Sequence, residues 1–220
     1  VLPGPDVTVQ FEAKGIKLGP GGCNLHFLLD NEPFEVQFDP RHPHLFHDVP
    51  PGTHTIRVYA ATASHEAIPE VFDMVTFCVG YGDDSNTPEN QEPLLTYNLP
   101  QGEYRGIDAA DITLNFFVKG ACLSRKGYRV QYFVDGKRFL VSDCASRHIT
   151  GLEPGKHTVK VQLIDVYGKV VPGPFSSVER VILASPDKLP QRLAPGEKAP
   201  EQPVVASLHG PLTAGLPSEP

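Results

Sequence analysis

The sequence predicts an all-β protein: two tandem copies of a small antiparallel β-sandwich, followed by a proline-rich extended C-terminal tail. Three observations carry that prediction. The 220-residue chain repeats itself, and each repeat alternates apolar and polar residues at the period of a strand. Its 20 Gly and 23 Pro are too many for a helical chain, because both residues interrupt helices and mark turns.

The repeat comes first, since it fixes how everything else is read. Displacing the chain by 105 positions lays Val7 to Val36 on Ile112 to Val141 without a gap, matching Thr8 with Thr113, Lys14-Gly15 with Lys119-Gly120, Asp30 with Asp135, Phe34 with Phe139 and Val36 with Val141. A two-residue deletion then reduces the offset to 103. Beyond it, Pro51-Gly52-Thr53-His54-Thr55 falls on Pro154-Gly155-Lys156-His157-Thr158, Val58 on Val161 and Val75 on Val178. A duplicated domain tolerates such a deletion in a surface loop.

In the second copy Tyr128, Val130, Tyr132 and Val134 alternate with Arg129, Gln131 and Phe133. Asp135-Gly136 then supplies the two positive-φ positions of a tight hairpin, and Phe139 and Val141 resume the alternation. The first copy reads the same way, with Cys23, Leu25, Phe27 and Leu29 before Asp30-Asn31, and Phe34, Val36 and Phe38 after it, all expected on one inward face. Gly19-Pro20-Gly21-Gly22 is a turn, because a strand follows it and no lysine completes a phosphate loop. Pro-Gly-x-His-Thr is a turn entering a strand whose His54, Ile56, Val58 and Ala60 face inward, with Thr55, Arg57 and Tyr59 on the opposite, exposed face. His54 and His157 are expected at the core edge, bonded to backbone. The final strands are expected at Phe72 to Val79 and Phe175 to Leu183, and Leu94-Leu95-Thr96-Tyr97 as an edge strand of the second copy. Ser64 to Glu70 is the one weak helix candidate.

Five to seven short strands in about 75 residues describe a sandwich of immunoglobulin-like or fibronectin-like type. The organisation expected is a sandwich over 1–80, a linker over 81–93, a second sandwich over 94–184 and the tail over 185–220. A domain of that size buries only about 60 to 65% of its unfolded surface, so the copies are expected to lean on each other.

The strings Val49-Pro50-Pro51-Gly52-Thr53-His54-Thr55-Ile56-Arg57-Val58 and Leu152 to Val161, with Leu94-Leu95-Thr96-Tyr97 leading to Gly102-Glu103-Tyr104, resemble a group of uncharacterised bacterial proteins with tandem immunoglobulin-like modules. The turn also resembles the small bacterial surface-layer module called PEGA. The resemblance covers both copies and not the tail. It implies non-catalytic modules and carries over no ligand or active site.

The tail holds eight prolines in 36 residues and is expected to be extended, reaching about 110 Å at about 3.1 Å per residue. Leu189, Leu193, Val204, Val205, Leu208, Leu212 and Leu216 recur along it as isolated apolar pegs. Two readings stand: a disordered linker, or a segment lying along a partner protein with its pegs in successive pockets.

Composition excludes several functions. Net charge is −7, and the 19 Lys and Arg are scattered, against a basic stripe for nucleic acid. No run of eighteen apolar residues spans a bilayer. The chain opens on Val1 with no basic, apolar leader, so an export signal would have been removed or would lie outside this numbering. Cys23, Cys78, Cys122 and Cys144 form no C-x-x-C pair; disulfides such as Cys23/Cys78 and Cys122/Cys144 and buried free thiols both remain open. His42, His44 and His47, beside Asp48, are the only dense set of metal-ligand types and weigh against a solvated loop whose Phe46 plugs the sandwich end. With no nucleophile elbow, H-E-x-x-H or carboxylate pair, the chain is expected not to be an enzyme and to need no cofactor.

The expected function is therefore a protein–protein interaction or structural accessory subunit of a larger assembly, with a membrane-associated complex as one candidate partner and an extracytoplasmic location, periplasm or cell surface. Two alternatives are an adhesion or carbohydrate-binding module using the exposed strand face with Arg57 and Tyr59 or the loops, though no Trp supplies a stacking platform, and a metal-binding domain using His42, His44 and His47.

Overall fold

The computed structural model describes residues 2, 4–82, 85–88 and 93–185, and the fold is the expected one: tandem immunoglobulin-like sandwiches built almost wholly from strands. In the first half the strands are β1 (Val7–Val9), β2 (Asn24–Leu29), β3 (Glu35–Gln37), β4 (His44–Phe46), β5 (Gly52–Ala61) and β6 (Ala67–Val79). In the second they are β7 (Leu94–Leu99), β8 (Glu103–Arg105), β9 (Asp111–Lys119), β10 (Arg129–Val134), β11 (Lys137–Val141), β12 (Arg147–Thr150), β13 (Gly155–Ile164) and β14 (Ser177–Ser185), with a four-residue helix α1 (Ile107–Ala110) before β9. Ser64 to Glu70 is not helical: it is a turn followed by the start of β6. Ile68 and Pro69 explain this, one by β-propensity and the other by denying the helix an N–H.

Each half closes two sheets on a core. β1 and β4 cover the order β3-β2-β5-β6 in the first, and β12-β9-β7 covers β11-β10-β13-β14-β8 in the second. Phe27, Ile56, Ala60 and Phe46 fill the first core, and Leu114, Val130, Val159, Val161 and Leu163 the second. The duplication holds residue by residue: Val7 pairs with Phe46 as Ile112 pairs with Ile149, and the Leu18–Cys23 bridge recurs as Leu123–Tyr128. Leu94 to Tyr97 does form an edge strand, β7, paired with β9. All four cysteines are free thiols.

One hairpin departs from its copy. In the second half Val134 pairs directly with Lys137 across Asp135 and Gly136, at φ 48° and 81°. In the first, Phe27 pairs with Glu35 and His26 with Val36, a register one residue longer than the repeat requires. Asn31 stands where Gly136 does and does not adopt positive φ, and Pro33 has no N–H for the ladder, so an extra residue is taken up before Glu35. A slip of one residue exchanges the faces of a strand. Phe34 and Val36 accordingly point away from the first core, correcting the inward placement read from the alternation; they pack with Leu28, Tyr59, Leu99 and Phe117 in a third cluster between the halves. The four-stranded sheet is thus buried on both faces, and the described residues form one compact unit.

Candidate binding surfaces

The layer between the halves holds most of the chemically interesting side chains, and strand alternation put them there. Ile56 and Val58 turn into the first core, so Arg57 and Tyr59 turn to the other face. That face was expected to be exposed. It is instead covered by β7 and β9, leaving Arg57 0% and Tyr59 1% accessible, so neither can meet an outside partner in this structure. Arg57 donates to Leu95 O at 2.9 Å and to Asp30 O, and its guanidinium lies 4.3 Å from the Phe175 ring centroid. Burial lowers its pKa to about 10, which leaves it a cation at neutral pH. Arg180 on β14 does the corresponding work from the second half, donating to Asn98 O at 2.8 Å and to Glu32 O at 3.1 Å over the Tyr97 ring. A charge held by neutral carbonyls and ring faces must be desolvated to be there, so the interface depends on both arginines being in place.

Asn98 is the hub of this layer. Its Nδ2 donates to His65 O at 2.6 Å and Asn115 Oδ1 at 2.8 Å, and its Oδ1 accepts from Tyr59 OH and His26 Nδ1, both at 2.9 Å. All four of its hydrogen-bonding positions are used. Because Nδ1 of His26 must donate, its Nε2 is left to accept from His65 Nδ1, 3.1 Å away. Burial, opposed by the Asn98 bond, lowers the His26 pKa from 6.5 to about 3, so the ring is neutral. Asn98 lies in a β-bulge between Tyr97 and Leu99, and no motif in the sequence marks it.

The two Pro-Gly-x-His-Thr turns build matching clamps. His54 Nδ1 lies 2.7 Å from Asp30 Oδ2 and its Nε2 2.9 Å from Pro50 O, while Thr55 N–H donates to Asp30 Oδ1 at 2.8 Å. His157 repeats this with Asp135 Oδ2 at 2.6 Å and Glu153 O at 2.7 Å, and Thr158 N–H with Asp135 Oδ1 at 2.9 Å. Both nitrogens of His157 face acceptors, and the Asp135 bond raises its pKa. Each clamp ties a hairpin to the adjoining strand. Neither points a base at a cleft.

The histidine-rich loop does not converge. His42 Nδ1 is 3.1 Å from Asp39 Oδ2, His47 Nδ1 is 3.3 Å from Asp6 Oδ1, and the buried His44 bonds Gln37 Oε1 at 3.0 Å and stacks on Phe27. Among the described residues no three His, Cys, Asp or Glu side chains gather as metal ligands. Phe46 does plug the first core. The tail positions Leu189, Leu193, Val204, Val205, Leu208 and Leu212 lie outside the described residues.

A groove of about 710 Å³ lies beside the first sandwich, between residues 9–16 and the β6 segment 71–75. Met74 and Val75 on its rim are 44% and 49% exposed. Among the described residues no helix is long and apolar enough to cross a membrane.

No protein-family model matches the chain, and neither does any curated protein. Among solved structures it is similar to the fibronectin(III)-like modules of CbhA from Clostridium thermocellum, at 12% identity over 91% of this chain and 92% of that one, with a TM-score of 0.33. It is also similar to the central fibronectin-III array of RIM-binding protein, at 14% identity over 81% of this chain and 62% of that one, with a TM-score of 0.30. At these scores nothing further is drawn from either likeness.

Proposed function

We propose that the chain is a non-catalytic interaction or structural accessory protein of a larger extracytoplasmic assembly, one candidate being a membrane-associated complex. Its sandwiches span 1–80 and 94–184, joined by a linker over 81–93. The tail from 185 to 220 lies along a partner protein, with Leu189, Leu193, Val204, Val205, Leu208 and Leu212 in its pockets. The observation that carries this reading is how the reactive side chains are spent. Arg57, Tyr59, His26, His54 and His157 all bond internal partners; the bonds of Arg57, Tyr59 and His26 weld the two modules into one body, and those of His54 and His157 tie hairpins within each module. That construction suits a rigid spacer with edges and a tail to offer, and these five side chains, being bonded internally, are not free to serve a substrate as base or nucleophile. The carbohydrate-binding alternative loses the Arg57 and Tyr59 face and keeps only the loops, and the metal-binding alternative finds its three histidines turned to separate partners.

The test is co-purification of the full chain from its native source under mild cross-linking, beside a form ending at Ser185. A stoichiometric protein partner that is lost with the tail is the expected result. Unchanged associations after the deletion would overturn the tail's role, and an isolated monomer in both forms would overturn the accessory role.

A further inference from the structure

Three arginines that stand apart in the sequence meet at one place in the second sandwich. Arg125 sits in the turn before β10, Arg129 opens β10 and Arg147 opens β12. With Leu140 of β11 and Asp143 of the loop after it, they line a cavity of about 460 Å³. Asp143 is the one carboxylate among the lining residues, and Arg147 holds it at 2.5 Å. Three guanidiniums against one carboxylate leave an excess of two positive charges, in a chain whose net charge is −7. Cations that share a cleft repel one another and concentrate counter-ions there.

The sandwich does not need these charges. The repeat sets Arg125 on Pro20 and Arg129 on Asn24, and the strand register sets Arg147 on His44, so the first copy builds the same turn and strands without a permanent cation at any of the three. Position 129 shows the difference most directly. Asn24 Nδ2 donates to Thr62 O at 2.9 Å, and Arg129 Nη2 donates to the counterpart of that carbonyl, Asp165 O, at 3.3 Å, and to Val166 O at 3.2 Å. A neutral amide therefore suffices to tie that loop. What arginine adds is a charge and spare donors: among the described residues its Nη1 has no acceptor, and its Nε is buried without one. Arg125 is exposed and has no hydrogen bond or ion pair among the described residues. Arg147 is fixed, its Nη1 donating to Ala145 O at 2.6 Å and its Nη2 to Asp143.

We propose that this cavity is an oxyanion site for a phosphate group, free or carried as a monoester. Arg129 and Arg147, pinned by their bonds to backbone carbonyls, form its fixed wall, and Arg125 is the unengaged arm that closes on the ligand. Donors carried on three different elements suit a tetrahedral dianion, which presents oxygens in several directions and matches the excess of two charges. A carboxylate presents two coplanar oxygens and one charge. Leu140, 48% exposed beside the arginines, offers the organic part of a monoester an apolar surface. The site uses no residue of the tail, and it gives the sandwich body a ligand beyond the accessory role.

The test is an NMR titration of the full 220-residue chain at low salt and about pH 8, where phosphate is a dianion. Inorganic phosphate should shift the amides of 125–129 and 142–147 and saturate with a Kd of about 1 mM. Phenyl phosphate should shift the same amides, and whichever of the two binds tighter tells whether the ester or the free ion is the better ligand. Acetate at equal concentration should not saturate. Arg125→Gln, at a position without partners, and Arg129→Gln, which keeps an amide donor for Asp165 O as Asn24 does for Thr62 O, should each weaken phosphate at least about tenfold and leave the urea midpoint unchanged. Phosphate shifts scattered over the surface without saturation, acetate binding equal to phosphate, or unchanged affinity in Arg125→Gln would each overturn the site. None of these results bears on the tail-dependent co-purification, so the two readings fail separately.

Discussion

Acidification should loosen the junction between the sandwiches through one side chain, His26. Its ring is fully buried, stacked on Phe34 with centroids 3.7 Å apart, and held by Asn98 and His65 as a neutral base. Burial, and secondarily the neighbouring His65, lowers its pKa from 6.5 to about 3. The unfolded chain therefore binds a proton that the folded one refuses throughout this window, so the stability contributed is full above pH 6.5 and falls as pH drops toward 3. At about 1.4 kcal/mol per pH unit, the loss is about 2 kcal/mol at pH 5 and about 3 kcal/mol at pH 4. The measurement is urea unfolding at pH 7, 5 and 4 for the natural chain and for His26→Asn, which keeps a donor toward Asn98 but cannot titrate. His44, whose pKa burial also lowers, contributes equally to both proteins and cancels in the difference. The natural chain should show the steeper loss on acidification by that amount. Equal pH slopes for the two proteins would refute the placement of His26 as a buried neutral hub.

The His157 clamp should respond to pH in the opposite sense. His157 gains stability from its charged form, so its contribution is present below pH 6.5 and lost as pH rises through its raised pKa; an NMR titration midpoint at or below 6.5 would contradict the two-acceptor geometry. Asp30→Asn should cost about 2–3 kcal/mol in chemical denaturation and Asp135→Asn only about 1 kcal/mol, because the Asp30 side chain is 15% exposed and the Asp135 side chain 47%, so water replaces the lost acceptor in the second clamp alone. Arg57→Lys should cost about 2–3 kcal/mol, since one ammonium cannot reach both Leu95 O and Asp30 O as the guanidinium fork does. Limited proteolysis should then cut between the halves faster, and an unchanged cleavage rate with unchanged stability would show that the fork is not holding the junction.

The sequence by itself determined the sandwiches, because strand alternation, turn chemistry and duplication are local or repetitive signals. Val130 and Tyr132 facing the core, the Asp135-Gly136 hairpin, β7 as an edge strand and the turn at Gly19–Gly22 could all be read that way. The tertiary structure decided three things that local pattern cannot carry. Alternation separates two faces of a sheet but does not say which is wet, so Arg57 and Tyr59 were assigned to solvent when a second sheet covers them. A one-residue change in hairpin register leaves the apolar spacing of β3 intact while exchanging its faces, which moved Phe34 and Val36 into the junction. Asn98 belongs to no motif, since its importance comes from groups at positions 26, 59, 65 and 115 that meet only when the halves pack.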